Sequence, residues 1–486
     1  MGKLLLNNNS HKLYSSITKI FMFSALHLNS LPAIFKKMPA SCLIYELCIR
    51  KYVGGFAAKT CEKSGLNCIW ELSLLMAVLF LTLNSLAWET ITFNGFGNES
   101  NNGISGVVQA GSDLVVGTEN FKTGCEVYKI SGDGSWVKLS DAGFGEASNT
   151  RISSMIYFQN ELYAGTMNTI LGASLYRSAD NGETWMKIDR ATNIQENYRI
   201  SSMAVFKNQL YLGIRNPLGA QIIRSSDGKS WIESKTRPFN DPHDIDIISF
   251  YAYEDRWLFA GVENADIMTG RTSGAKIYHS TNGESWEIGY DFNNSNSQTA
   301  DISSFLFVPD GNYLLVGCRS LFPGKMDHGL FLKGQIGKDR IEFKKKTFNV
   351  SQIPGITCLE LIKGSILAGS SNSILLELNN DAVLGEVILP QGVINSNGII
   401  SVLKYLSPYQ YLGFIYPTFP VKGAVLLRTR EFQTKEVNPV AENTNFKAPV
   451  PQNSQSDFSI GTLLVIGGIV LVLLFIVFLI PKDSGR

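Results

Sequence analysis

Six charged residues recur in phase with a glycine that ends an apolar run. They are Arg151, Arg199, Asp246 and Asp301, which precede that glycine by about fourteen to sixteen residues, and Arg215 and Arg319, which follow it by two. Guanidinium groups bind carboxylates through paired hydrogen bonds, and two carboxylates can catalyse glycoside hydrolysis. The set predicts a pocket for a carboxylate or hydroxyl-rich ligand. The alternative is that these charges solvate loop ends and pair with one another.

The glycine that sets this phase ends a Leu-x-x-Gly motif. It occurs as Gly117, Gly165, Gly213, Gly261, Gly317 and Gly369, with a looser copy at Gly413, at intervals of 48, 48, 48, 56, 52 and 44 residues. Alternating apolar residues at a period near 48 favour four short strands per repeat, as in β-propellers. One charged residue from each of four repeats then lies at the mouth of a central channel. The other three repeats place Gly103, Gly355 and Gly398 there, so the charge is confined to one side.

The repeats predict an all-β fold, a seven-bladed β-propeller closed by an N-terminal strand. The seventh repeat shows three strands, near 399–406, 410–416 and 423–430. The segment from Trp88 to Gly97 is similar to the fourth strand of the first repeat, Trp136 to Gly145. We expect it to pair with the last blade, because a closed ring leaves no unpaired strand edge.

A polar turn followed by a tryptophan recurs between the third and fourth strands. In its fullest form Ser178 and Asp180 can bond backbone N–H groups, Gly182 permits a positive φ, and Trp185 offers a large apolar ring. Shortened copies contain Asp133 with Trp136, Asp227 with Trp231, and Asn282 with Trp286. We predict that these residues stabilise turns at the outer edge of the blades, away from the ligand-binding face.

The stretch Ser178-x-Asp180-x-Gly182-x-Thr184-Trp185 resembles the Asp-box, or bacterial neuraminidase repeat, of sialidase-like β-propellers. The resemblance implies the fold but no single function, because that group includes hydrolases, sorting receptors and assembly factors. The catalytic motif of the sialidases is not matched. Arg151 and Arg199 are followed by Ile-Ser instead of Ile-Pro, and Tyr416 has no identifiable glutamate partner. The catalytic residues of the sialidases are therefore not carried over to this chain, and a binding module is favoured over an enzyme.

The predicted propeller, residues 88–432, lies between two apolar segments. Residues 1–63 form an extension without a clear period, and 64–87 read as a signal peptide or an uncleaved signal anchor. Residues 433–457 read as a polar linker, 458–480 as a transmembrane helix and 481–486 as a cytoplasmic tail. The expected topology is a single-pass membrane protein with the propeller on the extracytoplasmic side.

Charge and cysteine usage narrow the classes of function. The chain has 43 basic and 42 acidic residues, which leaves no electrostatic footprint for nucleic acid. No residue spacing predicts a metal or cofactor site. Cys125, Cys318 and Cys358 are expected to pack as small apolar residues, with a Cys318–Cys358 bridge left open. The remaining hypotheses are a module that binds a glycan or protein ligand and, as the alternative, a cell-surface glycan hydrolase.

Overall fold

The computed structural model describes most of the chain between Trp88 and Glu436. The described residues are 88–188, 194–233, 238–266, 271–292, 301–320, 328–338, 340–346, 353–380, 382–390, 393, 398–416 and 423–436. The predicted N-terminal extension, signal segment, transmembrane helix and tail lie outside them, as does most of the linker. Among the described residues no helix is long and apolar enough to cross a membrane.

The described chain is all-β and propeller-like, built from antiparallel groups of four strands that we number one to seven. Groups one to three are β2 (Gly103–Ala110), β3 (Asp113–Glu119), β4 (Val127–Ile130), β5 (Trp136–Lys138); β6 (Arg151–Phe158), β7 (Glu161–Met167), β8 (Leu175–Ser178), β9 (Met186–Lys187); and β10 (Arg199–Phe206), β11 (Gln209–Arg215), β12 (Gln221–Ser225), β13 (Ile232–Glu233). Groups four and five are β14 (Asp244–Tyr253), β15 (Trp257–Asp266), β16 (Arg271–Ser280), β17 (Glu287–Asp291); and β18 (Asp301–Val308), β19 (Tyr313–Ser320), β20 (His328–Ile336), β21 (Ile341–Lys346).

Groups six and seven contain the two ends of the described chain. Group six is β22 (Ile356–Ile362), β23 (Ser365–Ser370), β24 (Leu375–Leu378) and β25 (Val383–Val387), extended by β29 (Thr434–Glu436). Group seven is β26 (Ile399–Leu406), β27 (Tyr409–Ile415) and β28 (Leu426–Thr429), completed by β1 (Glu89–Thr92). The predicted linker was placed from residue 433, whereas 434–436 form β29, a strand that the sequence did not indicate.

The pairing of β1 with β28 agrees with the expectation for the segment after residue 87. Arg428 pairs with Glu89 across this junction, with 2.7 Å between Nε and Oε2. Trp88 is buried and donates from Nε1 to the carbonyl of Ile388 at 2.9 Å. The start of the described chain is therefore held by group seven and by group six.

Each of the seven first strands contains a bulge after an isoleucine. The isoleucines are Ile104, Ile152, Ile200, Ile247, Ile302, Ile356 and Ile400. At six of the seven junctions, a Ser or Thr hydroxyl of one group donates a hydrogen bond to the isoleucine carbonyl of the next group. The donor follows the isoleucine of its own group by one or two residues. The donors are Ser154, Ser202, Ser249, Ser303, Thr357 and Ser401, the last of which bonds Ile104 of group one.

The phased glycines face these isoleucines. A Cβ built on the glycine would lie 2.3 to 3.0 Å from the isoleucine of the next group, closer than real side chains approach. The pairs are Gly117 with Ile152, Gly165 with Ile200, Gly213 with Ile247, Gly261 with Ile302, Gly317 with Ile356, Gly369 with Ile400 and Gly413 with Ile104. The glycine repeat seen in the sequence is therefore a packing requirement between neighbouring groups, and the last pair joins group seven to group one.

The hydrophobic core lies between the faces of adjacent groups. One buried cluster joins Tyr163 of group two to Leu212 of group three. Another joins Leu114 of group one to Leu426 of group seven. Cys125, Cys318 and Cys358 are free, so the Cys318–Cys358 bridge is not formed. Burial raises the pKa of Cys358 to about 12 and raises the pKa of the other two thiols as well, which agrees with a packing role.

The Asp-box-like turns join third and fourth strands. In group two, the Ser178 hydroxyl accepts from the Gly182 N–H at 2.7 Å, and Asp180 Oδ1 accepts from the Thr184 N–H at 2.8 Å. Hydrogen bonds from the Thr184 hydroxyl, the Thr184 N–H and the Ser178 hydroxyl lower the pKa of Asp180 to about 2. Trp185 packs edge-on against Phe144. Asp133, Asp227 and Asn282 accept backbone hydrogen bonds in the corresponding turns, beside Trp136, Trp231 and Trp286. These bonds support the turn-stabilising role predicted for the motif.

Gly165→Ala tests the contact between groups. The added methyl group would meet Ile200, so we expect a loss of about 2 kcal/mol in the free energy of unfolding, because an overpacked interface has to shift. Chemical denaturation of residues 88–436 measures the loss. Gly132→Ala is the matched control, because a Cβ there meets nothing within 4 Å. Equal effects of the two substitutions would contradict the packing argument.

Candidate functional site

Charged residues collect where first strands begin and neighbouring second strands end. Three cross-strand pairs of charged residues lie within groups: Arg199 with Arg215, Asp246 with Glu263, and Asp301 with Arg319. Glu119 of group one pairs across a junction with Arg151 of group two. Strand register thus brings together charges that are 16 to 32 residues apart in sequence.

The best-connected part of the site is centred on Asp246. The Asp246 carboxylate contacts the Arg199 guanidinium, and its Oδ2 accepts from Nη1 of Arg215 at 2.9 Å. Arg215 also contacts Glu263, and Nε of Arg199 donates to the Ser201 hydroxyl at 2.8 Å. All four charged residues of this network belong to groups three and four.

Two further ion pairs flank that network. Arg319 contacts Asp301, and Nη1 of Arg151 lies 3.2 Å from Oε2 of Glu119. Asn102 donates to the other oxygen of Glu119 at 3.0 Å. We call these eight residues the mouth cluster: Arg151, Arg199, Arg215, Arg319, Glu119, Asp246, Glu263 and Asp301. It contains four cations and four anions, so its formal charge is zero, and every arginine in it has a carboxylate partner.

Exposure divides the mouth cluster by charge. The side chains of Asp246, Glu119, Asp301 and Glu263 are 0, 7, 11 and 16% exposed. Those of Arg199, Arg151, Arg319 and Arg215 are 21, 26, 27 and 30% exposed. The carboxylate side chains are therefore more buried than the arginine side chains, which are themselves only partly exposed.

Burial and neighbouring charge shift the pKa values of this cluster. Burial raises the pKa of Glu263; Arg215 opposes that shift, while Asp246 and Asp301 reinforce it. Burial by itself would lower the pKa of Arg215, but Asp246 and Glu263 hold it above its ordinary value. The pKa of Arg151 is lowered by burial and by the nearby Arg199 and Arg319, with Glu119 opposing. Glu119 and Asp246 therefore compensate the burial of Arg151 only in part.

All six residues predicted from the sequence lie at this end of the strands. Glu119 and Glu263 complete the ion pairs. Two buried polar atoms of the mouth cluster, Oδ1 of Asp246 and Nε of Arg151, have no hydrogen-bond partner among the described residues. Gly355 and Gly398 directly precede the first strands of groups six and seven, so these two groups place no charge at that position.

A set of buried amide pairs supports the site and was missed in the sequence. In each of groups one to four, an asparagine just after the second strand or near its end donates a hydrogen bond. The acceptor lies two positions before the mouth residue of its group, Gly103, Arg151, Arg199 or Asp246. The pairs are Asn120 with Asn101, Asn168 with Asn149, Asn216 with Asn197 and Asn264 with Asp244, at 3.0, 3.0, 2.8 and 2.7 Å. Their spacing repeats that of the glycines, which is the signal that could have revealed them.

In group four, Asp244 stands where groups one to three have an asparagine, and it forms a buried ion pair with Lys276. Nζ of Lys276 lies 2.6 Å from Oδ2 of Asp241 and 3.0 Å from Oδ1 of Asp244, and the Tyr278 hydroxyl donates to Asp244 at 2.7 Å. Burial would lower the pKa of Lys276, but these two carboxylates hold it above its ordinary value. The ammonium group occupies the centre of this acidic cluster. No group of residues suited to hold a metal ion occurs in the described ranges.

No protein-family model and no curated protein sequence matches the chain. Among solved structures, the extracellular domain of a putative one-component system from B. thetaiotaomicron is 19% identical with a TM-score of 0.48, and the match covers 70% of this chain but only 40% of that chain. The GH74 xyloglucanase from Xanthomonas campestris is 12% identical with a TM-score of 0.46, over 68% of this chain and 52% of that chain. The WD40 β-propeller domain of Doa1 is 11% identical with a TM-score of 0.46, over 71% and 97%. At these identities and TM-scores no activity or residue role is transferred.

Arg215→Met tests the electrostatics of the mouth cluster. Its loss leaves Glu263 without a cation and Asp246 with only Arg199, so we expect a destabilisation of about 3 kcal/mol. The pKa of Glu263 then rises further. A raised pKa gives stability below the ordinary value of 4.5 that is lost as the pH rises through the raised value. The deficit should therefore widen as the pH increases, which denaturation of residues 88–436 at several pH values measures.

Arg224→Met is the control for this pH dependence. Arg224 contacts Glu284, whose side chain is 59% exposed and can be hydrated when the pair is broken. Such exposed pairs contribute about 0 to 1 kcal/mol, so only a small effect is expected. A deficit in Arg215→Met that is constant across the same pH range would show that Glu263 does not report on this arginine.

Proposed function

We propose that the chain is a membrane-anchored, extracytoplasmic binding module whose arginine-lined mouth binds an anionic or hydroxyl-rich ligand. The observation that carries the proposal is that partly exposed arginine side chains contact carboxylates that are more buried than they are. Buried partners hold the arginines in place, and each guanidinium keeps N–H groups for a ligand, since it has five donors. This arrangement suits carboxylate recognition better than an exposed, unpaired arginine, which would lose more side-chain entropy on binding.

The proposed architecture is a single seven-bladed propeller of the Asp-box type. Its support is the cyclic series of glycine–isoleucine contacts from group one to group seven and back to group one. The pairing of β1 with β28 and the hydrogen bond from Ser401 to Ile104 belong to the same closure. The proposed anchor, residues 458–480, rests on an apolar sequence long enough to cross a bilayer.

A glycan hydrolase is the second candidate, favoured by one observation. Glu263 lies near Asp246 and Asp301, and its raised pKa is what a general acid requires. Against it, all three carboxylates contact arginines in this arrangement. A carboxylate held in an ion pair is a weaker proton donor and a less accessible base. The binding module therefore accounts better for the cluster.

A binding screen tests the first candidate. The purified full chain is applied in detergent to an array of sialylated, uronic-acid and neutral glycans together with acidic and neutral peptides. We expect binding to the anionic probes, weakened by salt. Arg151→Gln should weaken it about tenfold, because the removed guanidinium faces the ligand. Indifference of binding to this substitution would contradict the proposal.

The controls separate binding from folding and from catalysis. Arg177→Gln removes an ion pair to Glu161, 3.0 Å long, between β7 and β8 and should leave binding unchanged. Circular dichroism and the melting temperature report whether either variant is misfolded. Turnover of fluorogenic glycosides that is abolished by both Asp301→Asn and Glu263→Gln would replace the binding module by the hydrolase.

The topology is tested separately by proteolysis at the cell surface. If the propeller is extracytoplasmic, protease added to intact cells should release a fragment that starts near Trp88, because the preceding segment is removed or lies in the membrane. Mass spectrometry of the released fragment gives its first residue. A fragment that stays protected until the cells are lysed would show that the orientation is wrong.

A further inference from the structure

Four large apolar side chains are unusually exposed, and all belong to loops between second and third strands. Phe121, Ile170, Leu171 and Leu218 are 59, 63, 60 and 62% exposed. They come from three consecutive groups, one to three. The other exposed large apolar residues in the described ranges are 41 to 57% exposed and lie on or beside outer strands. We call these four residues the apolar tips.

The apolar tips lie on the same face as the mouth cluster. Their loops begin directly after Glu119, Met167 and Arg215, the ends of the second strands. Backbone hydrogen bonds fix each loop to the segment that leads into the next group, as from Asn168 N to Tyr198 O at 2.9 Å. The arginines and the apolar tips are therefore available to one and the same molecule.

The loops that carry the tips are ordered by the asparagines of the amide pairs. Oδ1 of Asn168 accepts from the N–H groups of Ile170 and Leu171 at 3.0 and 2.8 Å. Oδ1 of Asn216 accepts from Leu218 N–H at 2.8 Å. These loops cannot fold back to bury their side chains without breaking such bonds. An apolar patch held toward solvent in this way marks an interaction surface.

Charge decides which partner fits this surface. The partly exposed arginine side chains on the same face are complementary to carboxylates. Two exposed acids, Glu146 and Glu196, stand in the segments between the tip-bearing loops and oppose an anionic bilayer, and the exposed Lys122 next to Phe121 balances only one of them. The combination favours a protein segment over a membrane, because a peptide can place one carboxylate at the arginines and keep its other charges away.

We infer that the apolar tips and the mouth arginines together dock a segment of a partner protein in which an acidic side chain is flanked by large apolar ones. This rests on the proposed function, because the same arginines supply the anion-binding half of the surface. The apolar half adds selectivity, since burying large apolar side chains at an interface is favourable. Small anionic ligands would use the arginines alone.

Randomised peptides displayed on phage test this inference against the full chain in nanodiscs. Selected peptides should combine Asp or Glu with Leu, Ile or Phe. Synthetic peptides of the selected sequence should lose about tenfold in affinity when Gln replaces the acid or Ser replaces the apolar residues. The triple variant Ile170→Ser, Leu171→Ser, Leu218→Ser should show a loss of at least similar size for the unmodified peptide.

The double variant Ile232→Ser, Ile288→Ser is the matched control. These residues are 57 and 55% exposed, but they lie on the outer strands β13 and β17. The control should bind the peptides like the parent chain. Equal losses in both variants would overturn the docking surface, because the effect would not depend on the face.

The remaining outcomes separate the inference from the proposed function. Anionic probes that bind the triple variant and the parent equally well, with no peptide selected, would overturn the inference and leave the proposed function standing. If the parent chain binds no anionic probe, both the inference and the proposed function are wrong. Tip-dependent binding to phosphatidylserine vesicles without peptide binding would assign the surface to a membrane. Tip-dependent self-association in sedimentation would assign it to a second copy.

Discussion

A glycine set against the isoleucine of the next strand group is the contact on which the rest of the structure depends. It recurs from Gly117 on Ile152 to Gly413 on Ile104. The groups approach closely only where no side chain intervenes, and at six of the seven junctions the isoleucine carbonyl beside the bulge accepts a hydrogen bond from a hydroxyl of the preceding group. The same steric condition, met at every junction, sets the spacing between groups and allows the last to meet the first.

That repeated junction also gathers the charges. Because the first strands begin at the same end, Arg151, Arg199, Asp246 and Asp301 arrive together, and the second strands deliver their partners. Eight charges in a restricted space are tolerable when they alternate in sign and when the acids, which are costlier to leave unpaired once buried, each contact an arginine. The cluster is thus electrically neutral, and its arginine side chains are more exposed to solvent than its carboxylates.

The turns at one end of the strand groups and the loops at the other end have different structural roles. The Asp-box-like turns, such as Ser178 to Trp185, close the third and fourth strands with short hydrogen bonds and an aromatic contact. The loops at the mouth use buried asparagines such as Asn168 to hold their backbone while their side chains point to solvent. The Asp-box-like turns, which are easy to identify in the sequence, therefore lie away from the surface proposed to bind a ligand.

Much of the fold could be predicted from the sequence, because glycine spacing and apolar alternation are local properties that repeat. The strand predicted near 399–406 is β26, and the segment after Trp88 pairs with β28 as expected. The six charged residues were also placed at one end. Only the tertiary structure decided which acid each arginine meets, that the acids are more buried than the arginines, and that Ile170 and Leu218 stay exposed. These outcomes depend on contacts between separate strand groups, and no local pattern in the chain encodes such contacts.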